Sequence, residues 1–385
     1  MTGTICIALL MLWQGDPDQA RFEQAQQLAS QGRCREAIPV FRQLADAHPR
    51  IAAIPFALGQ CEFENKNYLP AIDAFGRVLA IDPHLVEARS MRGAALGLSG
   101  RTAEAIEELR QASRENDSFA PSFRLLGMFE VENGQIGPEA RTALERAVAL
   151  DSSDARAHYW LAQLHLLNED FDPAVEEFSA SLALQPQSPQ ARLGHAKALA
   201  GSGQTEAALA EFLTILQREP ASAEASLGAA QCYYNLRKFP TSLEAAREAS
   251  QHVEEVHDRR AALWLLSRLY RVLGEPQKAL ENERLLGELE KRMNDDLARF
   301  RTLQEEAMRY RSAGDFAKVA SSLEAALRLE QRQDSLVMLG DAYRALQRPK
   351  DAEQCYIRAL AAGPEQREIA QRLEEVRAGL EKNAK

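Results

Sequence analysis

A residue pattern that returns every 34 positions constrains this chain more than any other feature. Ala37, Phe41, Leu44 and Pro49 are followed 34 residues on by Ala71, Phe75, Val78 and Pro83. Ala105, Leu109 and Ala112 continue the series, and Ala140, Leu144 and Ala147 arrive one residue late. Ala174-Phe178-Ser181-Pro186 and Ala208-Phe212-Ile215-Pro220 resume the period, and Ala352-Tyr356-Ala359-Pro364 repeats it near the C-terminus. Each block follows a second mark, plainest in Leu58-Gly59, Leu126-Gly127 and Leu339-Gly340. A fixed period of this length means stacked copies of one small unit, none of which can bury its apolar face alone.

The spacing inside a unit is helical. Ala and the aromatic or Leu four residues later share one helix face, and Pro ends the helix it follows. A small residue on the first helix lets the second approach closely, and the larger side chain fills the groove toward the next unit. Gly32, Gly100, Gly134, Gly203, Gly274 and Gly314 fall between the two helices of their units. Ala, Leu, Glu, Gln and Arg dominate and favour helix, while Val and Ile are too sparse for an extensive sheet. The expected fold class is all-α.

Period, marks and turn glycines together resemble the tetratricopeptide repeat family, over residues 18 to 363. The resemblance implies a right-handed superhelical α-solenoid of about ten helix-turn-helix units. Units start near 18, 52, 86, 120, 155, 189, 223, 260, 300 and 333. The seventh departs from the pattern with Ser242, Ala246 and Ala249. The stretch 251–259 then reads as a linker or kink between units one to seven (18–250) and units eight to ten (260–363). The second helix of the eighth unit is long, running from Glu275 to Asp295. Residues 364–385, with Ile369, Leu373, Val376 and Leu380 at helical spacing, read as a cap helix that solvates the open end.

In this family the first helices line a concave groove that receives a partner. Carried onto this sequence, the groove contains Gln60, Arg124, Met128, Arg156, Tyr159, Gln163, Lys197, Gln231, Tyr234, Trp264, Arg268, Arg271 and Arg301. The set is rich in Arg, Gln and aromatic residues in a chain of net charge −10. Arg, Tyr, Trp and Met are enriched at protein contacts. The expected partner is therefore a protein or peptide carrying acidic residues. The Lys and Asn set by which one subgroup of the family grips a C-terminal carboxylate is missing, and Lys197 stands alone. The expected function is a non-catalytic scaffold or adaptor, working in envelope assembly or secretion, with an intracellular regulatory or assembly scaffold as the alternative.

Other functions find little support. The sequence lacks nucleophile-elbow, phosphate-loop, dinucleotide and zinc-protease motifs, so neither an enzyme nor a cofactor nor a small-molecule substrate is expected. An RNA-binding helical array would repeat a polar code in each unit; none recurs, and the net charge has the wrong sign. His158, His165 and His195 cluster in units five and six but occupy packing positions, which favours buried, hydrogen-bonded rings over a metal site. The five cysteines form no CxxC pair. Cys61, Cys232 and Cys355 read as small core residues, and export would open a second reading, a Cys34–Cys61 disulfide.

Export itself is suggested by Thr4 to Trp13, ten residues without a charge. A bilayer needs about 20, whereas the length fits a signal-peptide core. No Lys or Arg precedes it, and no A-x-A site comes before Gly15. The competing reading packs residues 1–17 on the first unit. The expected location is periplasmic or envelope-associated, with the cytoplasm as the alternative and membrane contact only through this segment if it is retained.

Overall fold

The computed structural model describes residues 17–253, 256–362 and 367–383. The segment Thr4–Trp13, Cys6 and Pro364 lie outside them. Among the described residues the chain forms twenty helices and no strand. In order they are α1 (Pro17–Ser30), α2 (Cys34–Ala47), α3 (Ala53–Glu64), α4 (Tyr68–Ile81), α5 (Val86–Leu98), α6 (Thr102–Glu115) and α7 (Ala120–Glu132). Next come α8 (Pro138–Leu150), α9 (Ala155–Leu167), α10 (Phe171–Leu184), α11 (Pro189–Gly201), α12 (Thr205–Arg218), α13 (Ala223–Asn235) and α14 (Phe239–His252). The remainder are α15 (Val256–Val272), α16 (Pro276–Ser312), α17 (Phe316–Leu329), α18 (Gln333–Ala345), α19 (Pro349–Ala362) and α20 (Arg367–Asn383).

One backbone device recurs down this series. Gly32 has φ +75°, and the N–H of Arg33 beyond it donates to the Leu28 carbonyl at 2.9 Å. A left-handed residue followed by this bond satisfies orphan carbonyls at a helix C-terminus and reverses the chain. The bond returns ten times among the described residues, from Arg33–Leu28 to Arg348–Tyr343. Six of the ten turns use the expected glycines, whereas Lys66, Glu169, Arg237 and Gln347 occupy the left-handed position at φ 57° to 62°.

Two compact units divide the chain. One gathers residues 17–135, 307–327 and 331–383, and the other residues 136–306 with 328–330. The stretch 251–259, read as a linker, falls inside the second unit, and most of it is helical. α14 runs to His252, α15 opens at Val256, and the intervening Val253 is buried. A second difference concerns α16. The sequence reading ends the eighth unit's second helix at Asp295, but α16 continues to Ser312. Residues 295–300 (DDLARF) contain neither Gly nor Pro, so nothing local stops the helix. It therefore begins as a second helix and closes, at Gly314, with the turn of a first helix.

Packing follows the small-to-large rule. A Cβ on Gly59 would lie 2.8 Å from the Phe75 ring, and one on Gly340 would lie 2.6 Å from the Tyr356 ring. These contacts stay within a hairpin. At Gly194 and Gly228 the facing rings are Phe178 and Phe212, from the preceding hairpin's second helix. The large residue thus serves both directions, and only the second was expected. Phe22, Phe41, Phe75 and Phe178 are fully buried. Cross-helix ion pairs reinforce the stack. Glu62, 1% exposed, accepts from Arg42 at 2.5 Å, and Glu130, two periods on, accepts from Arg110 at 3.0 Å. In α20, Ile369, Leu373 and Val376 are buried in the core formed by α16 to α19.

Cys34 on α2 and Cys61 on α3 are joined by a disulfide, with Cα atoms 5.0 Å apart and 27 residues apart in sequence. Closing a loop of this length in the unfolded chain stabilises by about 3–4 kcal/mol on the chain-entropy account. Urea unfolding of Cys34→Ser/Cys61→Ser should show a loss of that order.

Two glycine substitutions should have opposite signs. Gly59→Ala should destabilise by about 1–3 kcal/mol, because the Phe75 ring occupies the space. Gly287→Ala, in the exposed part of α16 with nothing within 4 Å, should stabilise by up to about 1 kcal/mol. Thermal melts of the two variants check the pair.

Candidate partner-binding surface

All thirteen candidate residues lie on helices that end in a left-handed turn. In the first unit, Gln60 is half-buried on α3, and Arg124 and Met128 are half-buried on α7. The other ten belong to the second unit. Arg156, Tyr159 and Gln163 lie on α9, Lys197 on α11, Gln231 and Tyr234 on α13, Trp264, Arg268 and Arg271 on α15, and Arg301 on α16.

Within the second unit, three candidates come together. Arg268 carries its guanidinium carbon 4.6 Å from the Trp264 ring centroid and 5.4 Å from that of Tyr234. The two rings come from neighbouring first helices, and Phe239 meets Tyr234 edge-on at 5.5 Å. Trp264 is 43% exposed, although tryptophan normally gains most from burial. Two aromatic faces flank the Arg268 guanidinium without neutralising its charge. Elsewhere Gln163 donates to the Tyr159 hydroxyl at 3.1 Å, and Gln231 donates to Asn235 at 3.0 Å.

The cations of the second unit divide into two kinds. Lys197 is already paired with Glu224, and Arg271 with Glu283. Both carboxylates come from other helices, so helical phasing could not reveal them. Among the described residues no carboxylate meets Arg156, Arg268 or Arg301, and all three are exposed. Arg268 is the one whose rotamer is fixed by rings, a pairing that residue-by-residue phasing did not single out.

The residues considered for chemistry are engaged in packing. His158 is buried, 2.6 Å from Glu177 and 3.1 Å from the Ser152 carbonyl. His165 lies 3.4 Å from Asp170. Burial holds His195 below the usual imidazole range, against the opposing pull of Glu211. Among the described residues no three His, Cys, Asp or Glu side chains are placed to hold a metal, and no helix is long and apolar enough to cross a membrane. Burial pushes the Cys232 and Cys355 thiols up to about 11. The thiolate is the reactive form. Iodoacetamide at pH 8 should therefore leave both unlabelled in the native protein and label both in guanidinium, as read by peptide mass mapping.

Models of the tetratricopeptide repeat match residues 22–86, 126–189, 193–252 and 335–368, together more than half of the 385 residues. No curated protein matches the sequence. Among solved structures, YrrB, described as a TPR protein with an unusual peptide-binding site, is 20% identical with a TM-score of 0.46; the match covers 50% of this chain and 97% of that one. A tetratricopeptide repeat protein from Parabacteroides merdae is 12% identical with a TM-score of 0.47, covering 65% and 98%. PilF from Pseudomonas aeruginosa is 18% identical with a TM-score of 0.44, covering 53% and 91%.

Proposed function

The chain belongs to the tetratricopeptide repeat family, and on that footing we propose that it is a non-catalytic scaffold whose second unit binds an acidic peptide segment of a partner protein at Arg268. Repeats of this family serve as protein-interaction scaffolds and bind protein or peptide partners. The finer reading is carried by one observation: an exposed arginine, fixed between Trp264 and Tyr234, with no carboxylate of its own. A partner carboxylate supplies the missing charge, and an apolar side chain beside it covers the open Trp264 face. Arg156 and Arg301, also exposed, provide further contacts for acidic residues along an extended segment. Aromatic and arginine anchors of this kind carry most of the energy at protein contacts.

The cellular setting belongs to the same proposal. A Cys34–Cys61 disulfide persists in oxidising compartments and is rare in a reducing cytosol. It supports the exported reading, with work in envelope assembly or secretion. Trapping free thiols in intact cells should find Cys34 and Cys61 blocked by their disulfide; quantitative labelling of both would return the protein to the cytoplasm.

The binding test uses a displayed peptide library panned on the whole protein. Wild type should enrich sequences with Asp or Glu next to an apolar residue. Arg268→Glu should weaken those peptides by at least about tenfold, or 1.4 kcal/mol, and should gain affinity for Lys- or Arg-containing counterparts. Trp264→Ala should weaken both sets while helical content by circular dichroism stays unchanged. Equal binding by wild type and Arg268→Glu would place recognition elsewhere.

A further inference from the structure

Between Ala279, 2% exposed, and Phe300, fully buried, α16 contains no buried residue. About twenty residues of helix are marginal in water without a packed face. This stretch nevertheless carries an apolar stripe. Leu286, Leu289, Met293 and Leu297 follow one another at steps of three, four and four, which keeps them on one face. Met293 is 42% exposed, and Leu286, Leu289 and Leu297 are half-exposed. On its α15 side the stripe borders an open groove lined by Leu263 and Leu266 of α15 and by Leu285, Leu289 and Arg292 of α16. In a regular array a separate first helix would follow and pack beside the second helix. Because α16 runs on instead of turning back, that helix is missing.

We propose that this stretch of α16 pairs antiparallel with α16 of a second copy about a two-fold axis at Met293, making the protein a homodimer. The stripe is its own complement. Leu289 and Leu297 lie four residues to either side of Met293, so the axis stacks Leu289 on the partner's Leu297 and Met293 on the partner's Met293. A two-fold interface requires this self-complementarity of one patch.

The charges obey the same symmetry. Arg292 and Asp296 lie on one flank of α16 beside the stripe. At 1.5 Å rise per residue, the axis brings Arg292 within about 3 Å, along the helix, of the partner's Asp296. The pairing joins opposite signs, and the two-fold axis makes it occur twice. Among the described residues neither Arg292 nor Asp296 has an ion-pair partner in its own chain.

Light scattering coupled to gel filtration tests the assembly on the full chain. Wild type should run as a dimer. Met293→Glu should be a monomer of unchanged helical content, since the substituted site is already exposed. Arg292→Asp alone should shift the equilibrium toward monomer, and Arg292→Asp/Asp296→Arg should restore the dimer. Cysteine cross-linking fixes the register. Met293→Cys should form an intermolecular disulfide on mild oxidation, whereas Leu286→Cys, about 21 Å from its symmetry mate, should not. A monomeric wild type at roughly 100 µM, a dimer indifferent to Met293→Glu, or equal cross-linking through both cysteines would overturn the proposal.

Discussion

The close approach of two helices at a position without a side chain is the contact on which the rest of this structure depends. Gly59 under Phe75, Gly340 under Tyr356, and Gly194 and Gly228 under Phe178 and Phe212 are the same contact made in two directions. A ring fills the space a Cβ would need, so the helices can neither separate without a cavity nor close without a clash. Because the large residue meets small ones within its hairpin in some units and in the next hairpin in others, each unit's packing is completed by a neighbour. That is why the sequence needs no central core.

Much of this was legible in the sequence because the determinants are local and periodic. Every helix start expected from the period lies within a few residues of a helix N-terminus, except the one near 300, which falls inside α16. That failure has a physical cause. The period placed a boundary where residues such as Asp295, Asp296 and Ala298 offer no stop signal, and helix propensity carried the chain through. The turns at Lys66, Glu169, Arg237 and Gln347 were hidden for the opposite reason: tertiary packing imposes a conformation those residues do not favour.

The candidate surface was legible in outline only. Phasing placed the thirteen residues on helices that end in a left-handed turn, but it could not foresee which charges the protein itself neutralises. Glu224 lies 27 residues from Lys197 and reaches it from another helix; Glu283 meets Arg271 likewise. The grouping of Arg268 with both Trp264 and Tyr234 needed the relative rotation of α13 and α15, which no single-helix pattern encodes. Cys61 reads first as a small core residue, and its disulfide with Cys34 only as a second reading under export; adjacent helices of neighbouring units bring the two together.

The turns at Lys66, Glu169, Arg237 and Gln347 also bear on how such a chain changes over time. A left-handed conformation costs an ordinary residue about 1–2 kcal/mol, yet these four turns keep the hydrogen bond of their glycine counterparts. The architecture tolerates drift at its corners: a turn can lose its glycine, accept a modest handicap and leave the stacking unaltered. Copies of one unit can therefore diverge at their exposed tips while the buried contacts between Gly59 and Phe75, and their equivalents along the array, stay fixed.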